Sequence, residues 1–221
     1  AALRSIQTGL TKVQADPGTT RTALAAIQNC EFTEQGAFYI DGQGNAKFLN
    51  RQTVAQAAGK PTTRFANDGT GISYFDFLPA YDDKLIINQA TINRVGGTAQ
   101  TSTNSASVTK YFPHSVNYDN LVAQTDTDTA NIAAIYVATR AETSLRIDTL
   151  VLDLNSPDYS AGILAALRGD YFQTFHIKNV GQDGTVIDKT LQVVGVAHQI
   201  TPNSWRATFT TSEPIVQGFL L

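Results

Sequence analysis

The chain of 221 residues has no methionine, a single cysteine and few charges. Position 1 is alanine, which leads to the expectation of a processed piece or an excised domain of something longer. One cysteine, Cys30, excludes an internal disulfide and a zinc site built from cysteines. Within "ALAAIQNCEF" it reads as a small buried hydrophobe. No apolar run reaches the roughly 18 residues of a membrane span, and no signal peptide opens the sequence. Lys and Arg number 16 against 19 Asp and Glu, a net charge of −3, with no basic block anywhere. That leaves no electrostatic footprint for nucleic acid or an anionic membrane. Charged residues make up 16%, below the roughly 25% of ordinary soluble domains. Thr, Asn, Gln and Ser must supply the polar surface, which suits β-structure and proteins that assemble side by side.

What is present is a succession of short β-prone runs punctuated by turns. After the turn "QADPGTT", the stretch "TTRTALAAIQNCEF" predicts a helix capped by Thr19 or Thr20, with Leu24, Ile27 and Cys30 or Glu31 at helical spacing. Two runs, 37–40 and 46–49, flank "DGQGN" and predict a hairpin. Residues 53–70 read as a loop, followed by an aromatic-rich window holding Tyr74, Phe75, Phe77 and Tyr81. "KLIINQATINRVGG" and "SASVTKYF" read as strands joined by the polar loop "GGTAQTSTN", the second ended by Pro113. "TDTDTANIAAIYVATRAE" predicts a helix over about 125–141, capped by Thr125 or Asp126 and striped by Ile132, Ile135, Tyr136 and Thr139. Then follow a strand bulged near Asp148-Thr149, a short helical or irregular piece at "AGILAALRGD", and a strand over 171–178. A closing hairpin, 191–200 and 205–211 about "TPNS", puts Val194, Val196, His198 and Ile200 opposite Trp205, Ala207 and Phe209. Gly195 marks a bulge or a close backbone approach there. The fold class is α+β, mostly antiparallel β, with two helices outside any βαβ rhythm.

No constellation of reactive residues emerges. His114, His176 and His198 lie in separate segments without metal-ligand spacing. No G-x-S-x-G elbow occurs. The glycine turns at Gly42 and Gly181 lie between strands, so neither makes a phosphate loop at a helix end. "TDTDTAN" lacks the glycine and final glutamate of a calcium loop, and helix capping accounts for it. Arg168-Gly169-Asp170 matches an adhesion tripeptide, yet between "LAAL" and "YFQTF" it reads as a turn into a strand. No catalytic, cofactor-binding or metal-binding residue is assigned.

The order of elements is more telling. The helix "ALAAIQNCEFTEQG" runs into "AFYIDGQGNAKFLNR", with Asp41, Gly44, Phe48 and Arg51 at set positions. "LIINQATINRVGG" follows with Asn88 and Arg94, then "SVTKYFPHSVNYDNLVAQTDTDTANIAAIYVATRAE", "LRGDYFQ" and "VVGVAHQITPNSWRATFTTS". This succession, over about 22–212, resembles the minor tail or tail-hub proteins of long-tailed bacteriophages. Phe112-Pro113 stands where their glycine follows the tyrosine. The resemblance implies small β-barrel-like hub domains with two accessory helices. It further implies a structural virion protein of the tail tip, generally trimeric, joining the end of the tail tube to tip fibres or a spike, without cofactor or catalysis. The expected organisation is a helix-plus-hairpin subdomain with a loop over 1–80 and a barrel-like domain with an inserted helix over 81–221, or one continuous unit. Loops 53–70 and 96–105 are candidates for contacts with neighbours. A carbohydrate- or receptor-binding module is the first alternative and requires Trp205 or the Tyr74–Tyr81 aromatics exposed in a groove. A glycoside or peptidoglycan hydrolase is the second, requiring two of Asp41, Asp82, Asp83, Asp126 and Asp128 to face one cleft about 5–10 Å apart.

Overall fold

The computed structural model describes residues 3–15, 18, 20–58, 63–155 and 159–213. Thr19 and the Asp16-Pro17 turn, both singled out above, lie outside them. The described residues form an α+β fold of three sheets and five helices, grouped into two compact units that are each discontinuous in sequence. One unit takes its described residues from Ala1–Val54 and Asp82–Ser144, the other from Ala55–Tyr81 and Leu145–Val216. Among the described residues the chain therefore crosses between them three times.

In the first unit, strand β1 (Arg4–Ile6) pairs in parallel with β3 (Ala46–Leu49), which pairs antiparallel with β2 (Ala37–Ile40). The helix before them, α1 (Ala23–Glu34), is capped by Thr22, whose side chain accepts the Ala25 N–H at 3.2 Å. Cys30 is exposed, as is Leu24, so the apolar stripe expected there does not face a core. The buried residues of α1 are instead the polar pair Thr33 and Glu34 at its end. Thr33 accepts the Val122 N–H at 3.1 Å, and the Glu34 carboxylate accepts the N–H groups of Leu10 and Thr11 at 2.9 and 2.7 Å. The helix is thus anchored by hydrogen bonds at its C-terminus.

Helix α2 (Arg51–Ala58) occupies the start of the expected loop. Its signal is Asn50, whose Oδ1 accepts the Thr53 N–H at 2.9 Å, an N-cap placed directly after a strand. A further hairpin joins β6 (Gln89–Arg94) to β7 (Gln100–Thr103), so the strand partner of β6 lies within the expected polar loop. "SASVTKY", read above as that strand, is helix α3 (Ser105–Tyr111). Asn104 explains the difference, because its Oδ1 accepts the Ser107 N–H at 3.0 Å and starts a helix. β8 (Ser115–Leu121) then pairs with β6 in parallel. Across this sheet lies α4 (Asp126–Arg140), the predicted helix, with a full Thr125–Asp128 capping box. Ile132, Ala133, Tyr136 and Val137 of α4 bury against Ala90, Ile92 and Leu121, so of the four stripe positions Ile132 and Tyr136 are core, Ile135 is half-buried and Thr139 is exposed.

The second unit is a six-stranded sheet in the order β4-β10-β11-β12-β9-β5, antiparallel apart from the β4–β10 pair. The strands are β4 (Thr63–Ala66), β5 (Asp76–Ala80), β9 (Arg146–Asp153), β10 (Thr174–Val180), β11 (Val186–Thr201) and β12 (Ser204–Ser212). Helix α5 (Ser160–Arg168) is the short helical piece foreseen between strands. Phe65, Leu150, Leu152, Phe175, Ile177, Leu191 and Phe209 fill the core. The ladder slips between Val193 and Gly195, and Asp148 is skipped where Leu78 pairs Thr149 and Pro79 pairs Ile147. Both slips fall where bulges were predicted. Pro79, which cannot donate to a ladder, sits on an edge strand as it must. All three sheets have two edge strands, so the pairings close no barrel among the described residues. Among the described residues five helices stand where two were expected beside the short helical or irregular piece, because α2 and α3 are too short to show a periodic stripe.

Candidate functional site

The residues that carried the resemblance turn out to be pins that hold backbone. Asp41, its side chain 7% exposed, accepts the N–H groups of Gln43 and Asn45 at 2.9 and 2.8 Å and pairs with Lys47 at 3.1 Å. The Asn45 hydrogen bonds, helped by Lys47, hold its carboxyl well below the usual carboxylate range. Gly44 supplies the positive φ of +81° that closes the turn. Arg51 Nη1 donates to the Thr11 hydroxyl at 2.9 Å, tying the N-terminal segment to α2. Arg94 pairs with Asp126 at 2.5 Å, and Thr98 donates its hydroxyl to the other Asp126 oxygen at 2.9 Å. Those contacts, Thr98 foremost, keep the Asp126 carboxyl low. A Cβ on Gly97 would stand 2.4 Å from Asp126 Oδ1, which is why that position carries glycine.

Asn88 is fully buried and does more than its sequence context revealed. Its Nδ2 donates to Phe112 O at 2.8 Å and Ser107 Oγ at 3.2 Å, while its Oδ1 accepts the His114 N–H at 2.8 Å. One amide thereby joins the start of β6 to α3 and to the chain leading into β8. Glu34 was likewise unmarked; the one cue was its place before Gly36, where a Cβ would meet Leu49 O at 2.4 Å.

The three histidines stay apart. His114 Nε2 lies 3.1 Å from Tyr111 O, and His176 Nε2 lies 2.5 Å from an Asp188 oxygen. His198 Nδ1 accepts the indole N–H of Trp205 at 3.2 Å. No group of three or more potential ligands gathers among the described residues. The closing hairpin pairs Val196 with Phe209, His198 with Ala207 and Ile200 with Trp205, as the alternation predicted. Val194 departs from that face because it occupies the bulge. β10 stops opposite Gln192, so the distal half of β11 runs past its neighbour and His198 and Ile200 are exposed.

Trp205 is half-buried and packs against the core of the six-stranded sheet. Tyr74 is half-buried as well, edge-on to Phe77 with ring centroids 5.7 Å apart, its hydroxyl accepting from Asn179 Nδ2. Burial pushes the Tyr74 phenol up. Phe75 is exposed but covered by the Arg206 guanidinium at 4.5 Å. Tyr81 is exposed. Among the carboxylates, Asp41 and Asp126 have the partners just given, Asp82 accepts the Lys84 N–H, and Asp128 belongs to the capping box. Asp83 lies 3.8 Å from His114. Asp41, Asp82 and Asp128 each accept a backbone N–H in a turn or a cap, and Asp126 pairs with Arg94. The RGD tripeptide is structural too: a Cβ on Gly169 would stand 2.6 Å from Phe209 Cε1, and Asp170 accepts the Tyr171 N–H.

The fold is the more informative feature, and it is shared with two solved tail proteins, one of them from a prophage. The tail protein from Neisseria meningitidis MC58 matches with a TM-score of 0.60 at 10% identity, over 97% of this chain and 62% of that one. The 43 kDa tail protein of prophage MuSo2 from Shewanella oneidensis matches with a TM-score of 0.57, also at 10% identity, over 97% of this chain and 60% of that one. The chain thus spans about three-fifths of the length of these two solved proteins. By sequence, no family model and no curated protein matches it.

Proposed function

We infer that this chain is a structural component of a phage tail tip, a hub or minor tail domain that acts by protein–protein assembly and not by catalysis. The observation that carries this reading is the agreement of fold over 97% of the chain with two solved tail proteins. It coincides with the order of motifs from 22 to 212, which points the same way. The surface supports it. Large apolar side chains such as Ile6, Ile40, Leu167 and Ile200 stand exposed, and a low charge density lets such faces meet neighbours without much desolvation of ions. No helix among the described residues is long and apolar enough to cross a membrane. In this reading the copies assemble into a ring, threefold in the virion, between the end of the tail tube and the tip fibres or spike.

Deleting the gene from the phage genome that encodes it tests the reading. Particles made without the chain should lack tails or carry tails with no tip complex in electron micrographs, and a plasmid copy should restore them. Intact, infective tails made in its absence would overturn the proposal.

A further inference from the structure

Strand β11 runs for 16 residues, but β10 covers only its first part, from Val186 to Gln192. Val193 still exchanges hydrogen bonds with Phe172 and Gln173, at 2.8 Å each, and the turn there, with Phe172 at a φ of 63°, ends that side. Past the slip at Val193/Gly195, the stretch from Val196 to Thr201 has β12 on one side and, among the described residues, no strand on the other. Trp205 shows which groups are left over. Its N–H goes to Asn155 Oδ1 at 2.7 Å and its C=O accepts the Leu154 N–H at 2.8 Å, both away from β11. Its ladder partner Ile200 therefore turns its own N–H and C=O away from β12, and by alternation so do His198 and Val196. Natural sheets guard such edges with charge, proline or short length. The two outermost strands of this sheet are guarded: β4 is four residues long and bridged at Ile72, while β5 carries Asp76, Pro79 and a slip in its ladder. The stretch from Leu191 to Thr201 has no Asp, Glu, Lys, Arg or Pro, and Ile200 stands 69% exposed on it.

We propose that the open edge at Val196, His198 and Ile200 receives an extended segment of another tail-tip protein, which adds a strand to the sheet; this rests on the tail-tip reading above. The edge itself defines the form of its occupant, since only extended backbone matches donors and acceptors that recur at every second residue. Such a segment is about six residues long. It is apolar at the alternate positions that cover Ile200 and the half-buried Trp205, and polar at those beside Gln199. Among the described residues a second copy offers no such segment. Strands β1, β2, β4, β5 and β7 are three to five residues long, and β8 carries Asp119 and is irregular at Asn120, with a φ of 64°. The same edge on a second copy would pair about a twofold axis, which closes a dimer and builds no threefold ring.

Amide exchange and complementation of the deletion phage test this. In the dilute free chain, the N–H groups of Val196, His198 and Ile200 should exchange about tenfold faster than those of Ala197 and Gln199, which β12 holds. In purified particles, fragments covering 194–201 should exchange about tenfold more slowly than in the free chain, read by mass spectrometry. His198→Pro removes an outward donor and no bond to β12, so it should melt within about 2 °C of His198→Ala, which loses the same imidazole and keeps the N–H. Supplied from a plasmid, His198→Ala should restore infective particles as wild type does, and His198→Pro about tenfold fewer. Ile200→Lys, which places a charge on the same exposed edge, should fall short in the same way. Edge amides already slow in the dilute chain, no added protection in particles, or His198→Pro restoring as many particles as His198→Ala would overturn the proposal. So would edge amides that slow as the free chain is concentrated into dimers, since a second copy would then cover the edge. Intact tails made without the chain would overturn the tail-tip reading, and the proposal with it.

Discussion

Phe209, Trp205 and Asp41 show how the account works at the level of single residues. Phe209 is buried at the centre of a ring cluster with Phe65 and Phe175, so Phe209→Ala should cost roughly 3–5 kcal/mol in denaturant unfolding. Trp205 lies beside that cluster and is half-buried, so Trp205→Ala should cost less, about 1–3 kcal/mol. Equal losses would mean that the distal hairpin is part of the core after all. Gly169→Ala should lower stability by roughly 1–3 kcal/mol, because the new methyl meets the Phe209 ring. Asp41 and Asp68 set the acid response. Asn45 holds the first carboxyl below its ordinary value, and the Lys178 ammonium holds the second. A depressed folded pKa means stability that is present above the ordinary carboxylate range, near pH 4, and is lost as pH falls through the folded value. The thermal midpoint should therefore fall progressively below about pH 4. Asp41→Asn should show a lower midpoint at neutral pH and a shallower acid decline.

At the scale of elements, caps decided what periodicity could not. The long helix α4 was legible because a capping box and an apolar stripe agree over its whole length. Thr125→Ala should cost about 1 kcal/mol, read by the same unfolding measurement. The hairpins at Asp41 and "TPNS" and both bulges were legible too, since turn chemistry and an isolated glycine are local signals. Helices α2 and α3 were not, because the competing cue was composition: Thr and Ser read as strand and loop, while the deciding residues were Asn50 and Asn104, each capping through one side-chain oxygen. Pairings between distant segments lay equally out of reach. Nothing in residues 4–6 announces a parallel partner at 46–48, and nothing in Asn88 announces the 112–114 loop. Replacing Asn88 by Ala leaves the His114 N–H and the Phe112 carbonyl without their partner, and should cost about 2–4 kcal/mol.

At the scale of the molecule, the division of the chain matters for how it is studied. The six-stranded sheet takes β4 and β5 from before residue 81 and its other four strands from after residue 145. A fragment covering 81–221 would retain four of those strands and expose two new edges, so it should aggregate or melt without a cooperative transition by circular dichroism. Cooperative folding of that fragment would instead favour the division at 80/81 drawn from sequence. Motif order made the tail-protein fold readable, although pairwise identity with the solved tail proteins is only 10%. Of the residues that carry the resemblance, Asp41 and Gly44 were readable as a turn, whereas the partners of Asn88 and Arg94 were not. The most direct test of the central claim is immunogold electron microscopy of purified particles with antibodies raised against this chain. The account predicts gold at the tail tip of particles that carry the protein, and none on particles from the deletion. Label confined to unassembled material, or none on any particle, would contradict it.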